Sequence, residues 1–451
     1  MKIIIVGSGK MGSYLSNILA NENHDITVID KNETVINKLN NTQDISILCG
    51  NGLVAATLEE ADIKNTDILI STMKNDEDNI VCCLLAKNLG VKNTIMRIRN
   101  PEYKDSMHYI KNDLGLSMTI NPELLTAKEI ANTLNFPSGI KINYFFKGKI
   151  EMLEFKIKEN SNIIRLSVKD LISKIKKKII IVAVERNDKV FVPNGEFVFE
   201  LGDKLIITSK LQNINNFFKF MGNVTFKTKD VMIIGGSKMS YYLAYFLENM
   251  GINSKIIEMD KNKCEILSEK LSKTLIINGD GSDKNLLLEE GIEEMDAFVS
   301  ATGIDEENII YSLFANSLNI PKVITKINHL TFNDIVESVG IENVQTPHII
   351  ASNQVLKYIR AMENSRGGNM ESLVRIMDDK LEMMEFVIND EFKYINKCLK
   401  DIHFKEGIIV VCINRKGNVI FPTGEDVLKV NDNIIISTTK SNIKGLNDIL
   451  R

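Results

Sequence analysis

The 451-residue sequence lacks several features that mark well-known classes of protein. No apolar run approaches the ~18 residues that a membrane-spanning helix needs, and the net charge of −4 has the wrong sign for most nucleic-acid binders. The six cysteines include no Cys-x-x-Cys pair, and the five histidines show no metal-ligand spacing. We therefore expect no transmembrane segment of its own, no nucleic-acid partner, no disulfide framework and no metal site.

The N-terminus also lacks the layout of a signal peptide, because a strand pattern begins at Lys2. Hydrophobic residues make up 44% of the chain and charged residues 25%, which is typical of soluble globular proteins. The chain is too long for one ordinary core and predicts two to four domains. These features predict a reduced, cytosolic protein of several domains.

One pattern occurs twice in the sequence. Gly7 and Gly235 lie 228 residues apart in two similar stretches, "IIIVGSGKMG" and "VMIIGGSKMS", and "GNG" at 50–52 recurs 229 residues later as "GDG". An almost constant offset over the whole length predicts tandem duplication of a two-domain unit. We predict domains at residues 1–135 and 141–222 in the first half, and at 228–364 and 372–451 in the second.

The first domain of each half has the pattern of an α/β protein. Short apolar runs alternate with amphipathic segments, which predicts a Rossmann-like, doubly wound parallel sheet. Proline then begins a longer helix in each half, and a small α+β domain of ~80 residues follows. "SRGGN" at 365–369 is the expected flexible joint. The predicted strands and long helices are Ile3–Val6, Ile26–Ile29, Ile45–Leu48, Ile68–Ile70, Thr94–Ile98, Pro122–Leu134 and Pro347–Met362.

The first glycine turn has the G-x-G-x-x-G spacing of a dinucleotide site. Gly7 permits the tight turn, Gly9 lets the backbone approach a pyrophosphate, and Gly12 lets helix and strand pack closely. Asp30 ends the second strand, where an acidic side chain suits a ribose 2′-hydroxyl and repels a 2′-phosphate. The motif therefore favours NAD(H) or an adenosine nucleotide over NADP.

The second copy of the turn is altered. Gly235 is kept, while Ser237 and Ser240 replace the other two glycines, and Glu258 stands in the place of Asp30. Ser237 brings a Cβ close to the expected diphosphate, although its hydroxyl can donate to phosphate. Two interpretations remain open: a nucleotide site with altered preference, or a structural remnant.

Other candidates follow from the rule that ligands of open α/β sheets bind at the carboxyl ends of the strands. Arg97 and Arg99 end the fifth strand on the same face, and they would reach ligand phosphates or pair with carboxylates across an interface. Asp76 and Asp305 are expected in first turns of helices, where acidic residues complement the dipole. The candidate cofactor-binding residues are Gly7, Ser8, Gly9, Lys10, Met11, Gly12, Asp30, Asn51, Thr72, Met73, Lys74 and Arg97 in the first half, and Gly235, Gly236, Ser237, Lys238, Met239, Glu258, Asp280, Thr302 and Gly303 in the second.

Taken together, these motifs resemble those of TrkA-type regulatory subunits of Trk potassium-uptake systems, which consist of two tandem RCK units (regulators of K⁺ conductance), each with an N and a C subdomain. The similarity covers essentially the full length. It rests on the first glycine turn with Asp30, "NDEDN" at 75–79, "RIR" at 97–99, "VPNGE…LGD" at 192–203 and their second-half equivalents.

The resemblance implies a non-catalytic, cytoplasmic protein that lies on the inner face of the cell membrane. It implies a homo-oligomeric ring, commonly a tetramer, on an integral membrane potassium channel or transporter subunit of the TrkH-like kind. NAD(H) or ATP/ADP would bind the N subdomains and change the shape of the ring.

Two alternatives remain. A nucleotide sensor of another cation transporter or antiporter would share these motifs. An NAD-dependent oxidoreductase would need a catalytic His, Lys or Tyr aimed at the nicotinamide, and the small domains contain no such constellation.

Overall fold

The computed structural model describes residues 1–33, 45–103, 115–134, 140–145, 150–222, 228–329, 336, 339–341, 343–365, 370–377, 380–439, 443 and 445–451. The chain divides into two compact units, and each takes one segment from each half of the sequence. Unit 1 comprises Met1–Asn135 and Thr228–Leu356, and unit 2 comprises Phe136–Lys227 and Lys357–Arg451. The finer boundaries of four domains stay a prediction, and most of the expected joint, 366–369, lies outside the described residues.

The first half begins with a six-stranded parallel sheet in the order β3-β2-β1-β4-β5-β6. The order reverses between β1 and β4, which is where doubly wound sheets bind ligands. Its strands are β1 (Lys2–Val6), β2 (Asp25–Asp30), β3 (Ser46–Cys49), β4 (Ile68–Ser71), β5 (Asn93–Arg97) and β6 (Met118–Ile120). Its helices are α1 (Lys10–Asn21), α2 (Ala55–Glu60), α3 (Asp76–Asn88) and α4 (Pro122–Leu134).

A five-stranded antiparallel sheet follows, in the order β10-β9-β11-β8-β7. It consists of β7 (Lys141–Phe145), β8 (Ile150–Lys156), β9 (Ile180–Arg186), β10 (Lys189–Phe191) and β11 (Lys204–Thr208), with helices α5 (Val168–Ile175) and α6 (Leu211–Phe220). The sequence therefore correctly predicts the change from a parallel-sheet domain to a small α+β domain, and the structure adds that the small domain's sheet is antiparallel.

The second half repeats both sheets. The parallel sheet has the order β14-β13-β12-β15-β16-β17, and the antiparallel sheet has the order β18-β19-β22-β20-β21. The strands of the parallel sheet are β12 (Asp230–Ile234), β13 (Asn253–Glu258), β14 (Leu275–Asn278), β15 (Ala297–Ser300), β16 (Lys322–Lys326) and β17 (Asn343–Gln345). Its helices are α7 (Lys238–Met250), α8 (Lys261–Lys270), α9 (Lys284–Glu289), α10 (Asp305–Ser317) and α11 (Pro347–Ser365). The last sheet consists of β18 (Met370–Ile376), β19 (Leu381–Val387), β20 (Ile408–Arg415), β21 (Asn418–Ile420) and β22 (Asn433–Thr438).

Within unit 1 the two parallel-sheet domains share a core. Helix α4 of the first half packs on α7 of the second, where Ile130 and Leu134 join Leu243 and Leu247 in one buried cluster. On the other side, the ring of Tyr14 on α1 meets the ring of His348 on α11 edge to face, with centroids 5.9 Å apart. Each glycine-turn helix therefore contacts the helix that follows the sixth strand of the other half.

Within unit 2 the two antiparallel sheets also share a core, to which Met152 and Val182 contribute from one sheet and Met383 and Val411 from the other. No helix among the described residues is both long enough and apolar enough to cross a membrane.

The "LGD" and "VND" motifs have a structural role in unit 2. Arg186 donates from Nε and Nη2 to the two carboxylate oxygens of Asp203, both at 2.7 Å, and Arg415 does the same to Asp432 at 2.8 Å. Both carboxylates are almost fully buried. Such bidentate pairs are among the strongest side-chain contacts.

Candidate nucleotide site

Two of the three glycines of the first turn are required by the protein itself. Gly7 has a φ of +95°, and a Cβ there would lie 3.0 Å from the backbone nitrogen of Met73. A Cβ on Gly12 would lie 2.0 Å from the carbonyl oxygen of Gly7. Neither position accepts a side chain without movement of the backbone.

Gly9 is different. Its φ of −65° suits any residue, and a Cβ built there meets no atom within 4 Å. Gly9 also occupies the N-cap of α1, and no described side chain caps the helix there. The first turn of α1 therefore presents backbone N–H groups with a positive end of the helix dipole, which is the arrangement that binds phosphate.

Asp30 lies beside this turn at the end of β2. Its Oδ2 accepts from the backbone N–H of Ser8 at 2.7 Å and from the Ser8 hydroxyl at 2.8 Å, and its Oδ1 accepts from Asn32 at 2.9 Å. Burial raises the pKa of Asp30, but these hydrogen bonds outweigh it and leave the pKa below its usual value. The carboxylate is therefore ionised and keeps acceptor capacity for a ribose hydroxyl.

The ends of β4 and β5 are joined by a residue that the sequence analysis missed. The fully buried Asn79 accepts from the Ser71 hydroxyl and from the Met73 N–H, both at 2.8 Å, and donates to the Arg97 carbonyl at 3.0 Å. Asn308 ties Thr302 to Lys326 in the second half in the same way. The repeated asparagine of "DEDN" and "DEEN" was the available signal.

Thr72 and Arg97 also support the loop. Thr72 donates from its hydroxyl to the Gly7 carbonyl at 2.8 Å, and Arg97 donates from Nη2 to the Met73 carbonyl at 2.5 Å. Burial is the main cause of a lowered pKa at Arg97. Lys326 makes the matching contact in the second half, with Nζ 3.0 Å from the Thr302 carbonyl.

Arg99 pairs with a carboxylate within its own half, whereas the sequence suggested a ligand phosphate or a carboxylate across an interface. Its Nε lies 2.6 Å from Oε1 of Glu123, on α4 of the same half. Asp76 lies in the first turn of α3 as predicted, and it also accepts from the backbone of Arg99 at 2.9 Å and of Asn100 at 2.8 Å. This second role of Asp76, which fixes the loop after β5, was not predicted.

In the second glycine turn, the residues of the turn satisfy one another's hydrogen bonds. Ser237 is the N-cap of α7 and accepts from the Ser240 N–H at 3.2 Å, while the Ser240 hydroxyl donates to the Gly235 carbonyl at 2.5 Å. Glu258 accepts from the Gly236 N–H at 2.6 Å, as Asp30 does from Ser8. The side chain of Ser237 thus occupies the helix terminus that is uncapped in the first half.

The remaining candidates lie around the two turns. Lys10, Lys74, Lys238 and Gly303 are exposed. The side chains of Met11 and Met239 are buried in the core, so only their backbone N–H groups could serve a ligand.

Asn51 and Asp280 lie in turns between closely packed glycines. Their side chains accept from Leu53 at 3.1 Å and from Ser282 at 2.8 Å, respectively. A Cβ on Gly52 would lie 2.2 Å from a methyl group of Val6, which fixes this turn against β1. Among the residues that the structure describes, no group of three or more His, Cys, Asp or Glu could hold a metal ion.

The comparisons with known proteins identify the family. The TrkA-N domain matches residues 3–122 and 231–347, and the TrkA-C domain matches residues 152–222 and 383–451. A Trk system potassium uptake protein TrkA homolog from Methanosarcina mazei is 30% identical, with all of both chains covered.

The fold is similar to that of solved structures. The GsuK channel bound to NAD matches with a TM-score of 0.63 at 15% identity, covering 97% of this chain and 77% of that one. GsuK bound to ADP matches with a TM-score of 0.51 at 13% identity, covering 79% of this chain and 69% of that one. The chain thus shares the fold of the matched parts of these structures, and with its two TrkA-N and two TrkA-C domains it belongs to the TrkA family.

Proposed function

We propose that the protein is a cytoplasmic regulatory subunit that gates a potassium channel or transporter in response to a bound nucleotide. Membership of the TrkA family supports the role in potassium uptake. Nucleotide binding is supported mainly by the first turn of α1, which follows Gly9 and has no side-chain cap. The packing of the protein itself does not require a glycine at position 9.

The ligand proposed for the first half is NAD(H), or ATP or ADP. The diphosphate lies at the N-terminus of α1, and Asp30 accepts from a ribose hydroxyl. An ionised Asp30 repels the 2′-phosphate of NADP. GsuK, which shares the fold, has been solved with NAD and with ADP.

The second half is proposed as a weaker site. Ser237 and Glu258 already satisfy the N–H groups of Ser240 and Gly236, and a diphosphate would have to displace the serine from its capping position. We expect one strong nucleotide site per chain.

Coupling to the partner follows from the shared core of unit 1. A ligand on the first turn acts on α1, which contacts α11 of the second half through Tyr14 and His348. Moving a gate from mostly closed to mostly open needs about 5 kcal/mol of differential binding. Equivalent sites in a homo-oligomeric ring, proposed as a tetramer, would share that energy while the ring lies on a TrkH-like membrane subunit.

The test is flux through a TrkH-like channel in proteoliposomes, with this protein and with NADH, NAD, ATP or ADP added in turn. We expect K⁺ flux to differ between nucleotides and the difference to vanish with Gly9→Ser. Nucleotide-dependent flux of another cation through a different transporter would indicate the sensor of that system instead. Catalytic loss of NADH absorbance with carbonyl substrates would overturn the proposal in favour of an oxidoreductase.

A further inference from the structure

A buried lysine joins three distant parts of unit 1. Lys322, at the start of β16, is 5% exposed. Its ammonium group donates to the Leu134 carbonyl at 2.6 Å and to the Thr228 hydroxyl at 2.7 Å, and that hydroxyl donates to the same carbonyl at 2.7 Å. We call these three residues the crossing clasp.

The crossing clasp lies where the chain leaves and re-enters unit 1. Leu134 is the last residue of α4, after which the chain continues to β7 in unit 2. Thr228 is the first residue of unit 1 after that segment. One ammonium group of the second half therefore holds both ends of the segment that carries β7–β11.

The first half offers a comparison without such a crossing. Asn93 begins β5 at the position that Lys322 has in β16, and its amide donates to the Asp67 carbonyl at 3.4 Å within the same domain. The crossing clasp is thus not part of the repeated parallel-sheet domain. It occurs at the site where the first small domain is connected.

A lysine is a costly choice at this position. Burial lowers the pKa of Lys322 to about 8, although Asp296 opposes the shift. An apolar side chain of similar length would fill the same space without that cost. A lysine at this position is therefore better explained by the hydrogen bonds of the crossing clasp than by packing alone.

Helix α4 connects the crossing clasp with the strand ends near the nucleotide site. At its start, Asn121 donates to the Tyr242 hydroxyl at 3.1 Å and Glu123 pairs with Arg99. Along its length α4 packs on α7, and at its end Leu134 accepts from Lys322. Helix α4 therefore has direct contacts both with the strand ends near the nucleotide site and with the crossing clasp.

We propose that Lys322 transmits nucleotide occupancy from unit 1 to the first antiparallel sheet, β7–β11, by fixing both ends of the connecting chain to β16. The proposal rests on the proposed nucleotide site. It makes Lys322 a positioning residue for regulation, with no contact to the ligand.

The test is hydrogen exchange measured by mass spectrometry on the full chain, with and without NADH. We expect NADH to slow exchange in β7–β11 about threefold or more in the natural protein. Lys322→Met should abolish that response while the Kd for NADH changes less than about twofold. Thr228→Val removes one hydrogen-bond partner of Lys322 without removing a charge, and it should weaken the response. This variant replaces Lys322→Met in the test if Lys322→Met does not fold.

The matched control is Lys255→Met. Lys255 lies on β13 and also donates to a backbone carbonyl, that of Glu290 at 2.7 Å, but away from the crossing. Its variant should keep the natural response. A response in Lys322→Met equal to that of the natural protein overturns the proposal, as does NADH binding without any change in β7–β11. Failure of NADH to bind at all would instead contradict the proposed function.

Discussion

At the scale of residues, the physical reason for glycine differs among the three glycine positions of the first turn. Gly7 and Gly12 leave no room for a Cβ against the protein's own backbone, while Gly9 leaves ample room. A sequence motif treats the three alike. The structure separates the two glycines that the fold requires from Gly9, which the protein's own packing does not require.

The two kinds of glycine predict opposite effects on stability. Gly9→Ser should leave the free energy of unfolding unchanged or raise it by a few tenths of a kcal/mol, because serine is at least as good an N-cap. Gly12→Ala should lower it by about 1–3 kcal/mol, because its Cβ overlaps the Gly7 carbonyl. Denaturant unfolding of both variants checks this, and a destabilised Gly9→Ser would contradict it.

His348 predicts a pH dependence of stability. Burial, together with the nearby Lys10 and His329, lowers the pKa of His348 to about 4 against the attraction of Asp305. In the unfolded chain the imidazole of His348 takes up a proton near pH 6.5, whereas in the folded protein it does so only near pH 4. The free energy of unfolding therefore falls as the pH drops from 6.5 to 4.

For a partly exposed ring we expect this loss to be about 1–2 kcal/mol after allowance for solvent screening. His348→Gln should remove that part of the dependence in thermal unfolding between pH 4 and 7. An unchanged pH profile in this variant would show that His348 does not contribute.

At the scale of elements, α7 differs from α1 in its cap. Ser237 caps α7 with its own hydroxyl, whereas no side chain among the described residues caps α1. Ser237→Ala should therefore lower the free energy of unfolding by about 1 kcal/mol. Thermal unfolding measures this, and a variant as stable as the natural protein would contradict the hydrogen bond.

Loss of a bidentate pair in unit 2 should lower the free energy of unfolding more than loss of the Ser237 cap does. Asp203→Ala leaves Arg186 without its main partner, and we expect a loss of about 3–5 kcal/mol. The exposed pair of Lys400 and Glu425, at 2.8 Å, is the control, since Glu425→Ala should cost less than about 1 kcal/mol. Equal losses in urea unfolding would contradict the difference in burial.

Much of the element order could be predicted from the sequence, because apolar runs such as Ile68–Ile70 are buried on both faces of a parallel sheet. The sequence could not predict which elements pack against each other through their buried faces. The periodicity of α4 shows that one face is apolar, but not that this face packs on α7. Contacts of buried polar groups, such as those of Asn79, depend on neighbours far apart in sequence and were missed for the same reason.

At the scale of the whole molecule, the duplication has produced two halves that share cores while their glycine turns differ. Each unit draws one segment from each half. The sequence showed the repeat through its constant offset, but an offset cannot show that equivalent domains pack together. In the proposed function, the shared core of unit 1 carries the effect of a ligand in one half to the other half.

The central claim is that the first turn binds an adenine nucleotide. Isothermal titration of the full chain with NADH and with ADP tests it most directly. We predict saturable binding at one strong site per chain, at least tenfold weaker in Gly9→Ser and retained in Ser237→Ala. Binding of no adenine nucleotide, or equal affinity in Gly9→Ser and the natural protein, would contradict the claim.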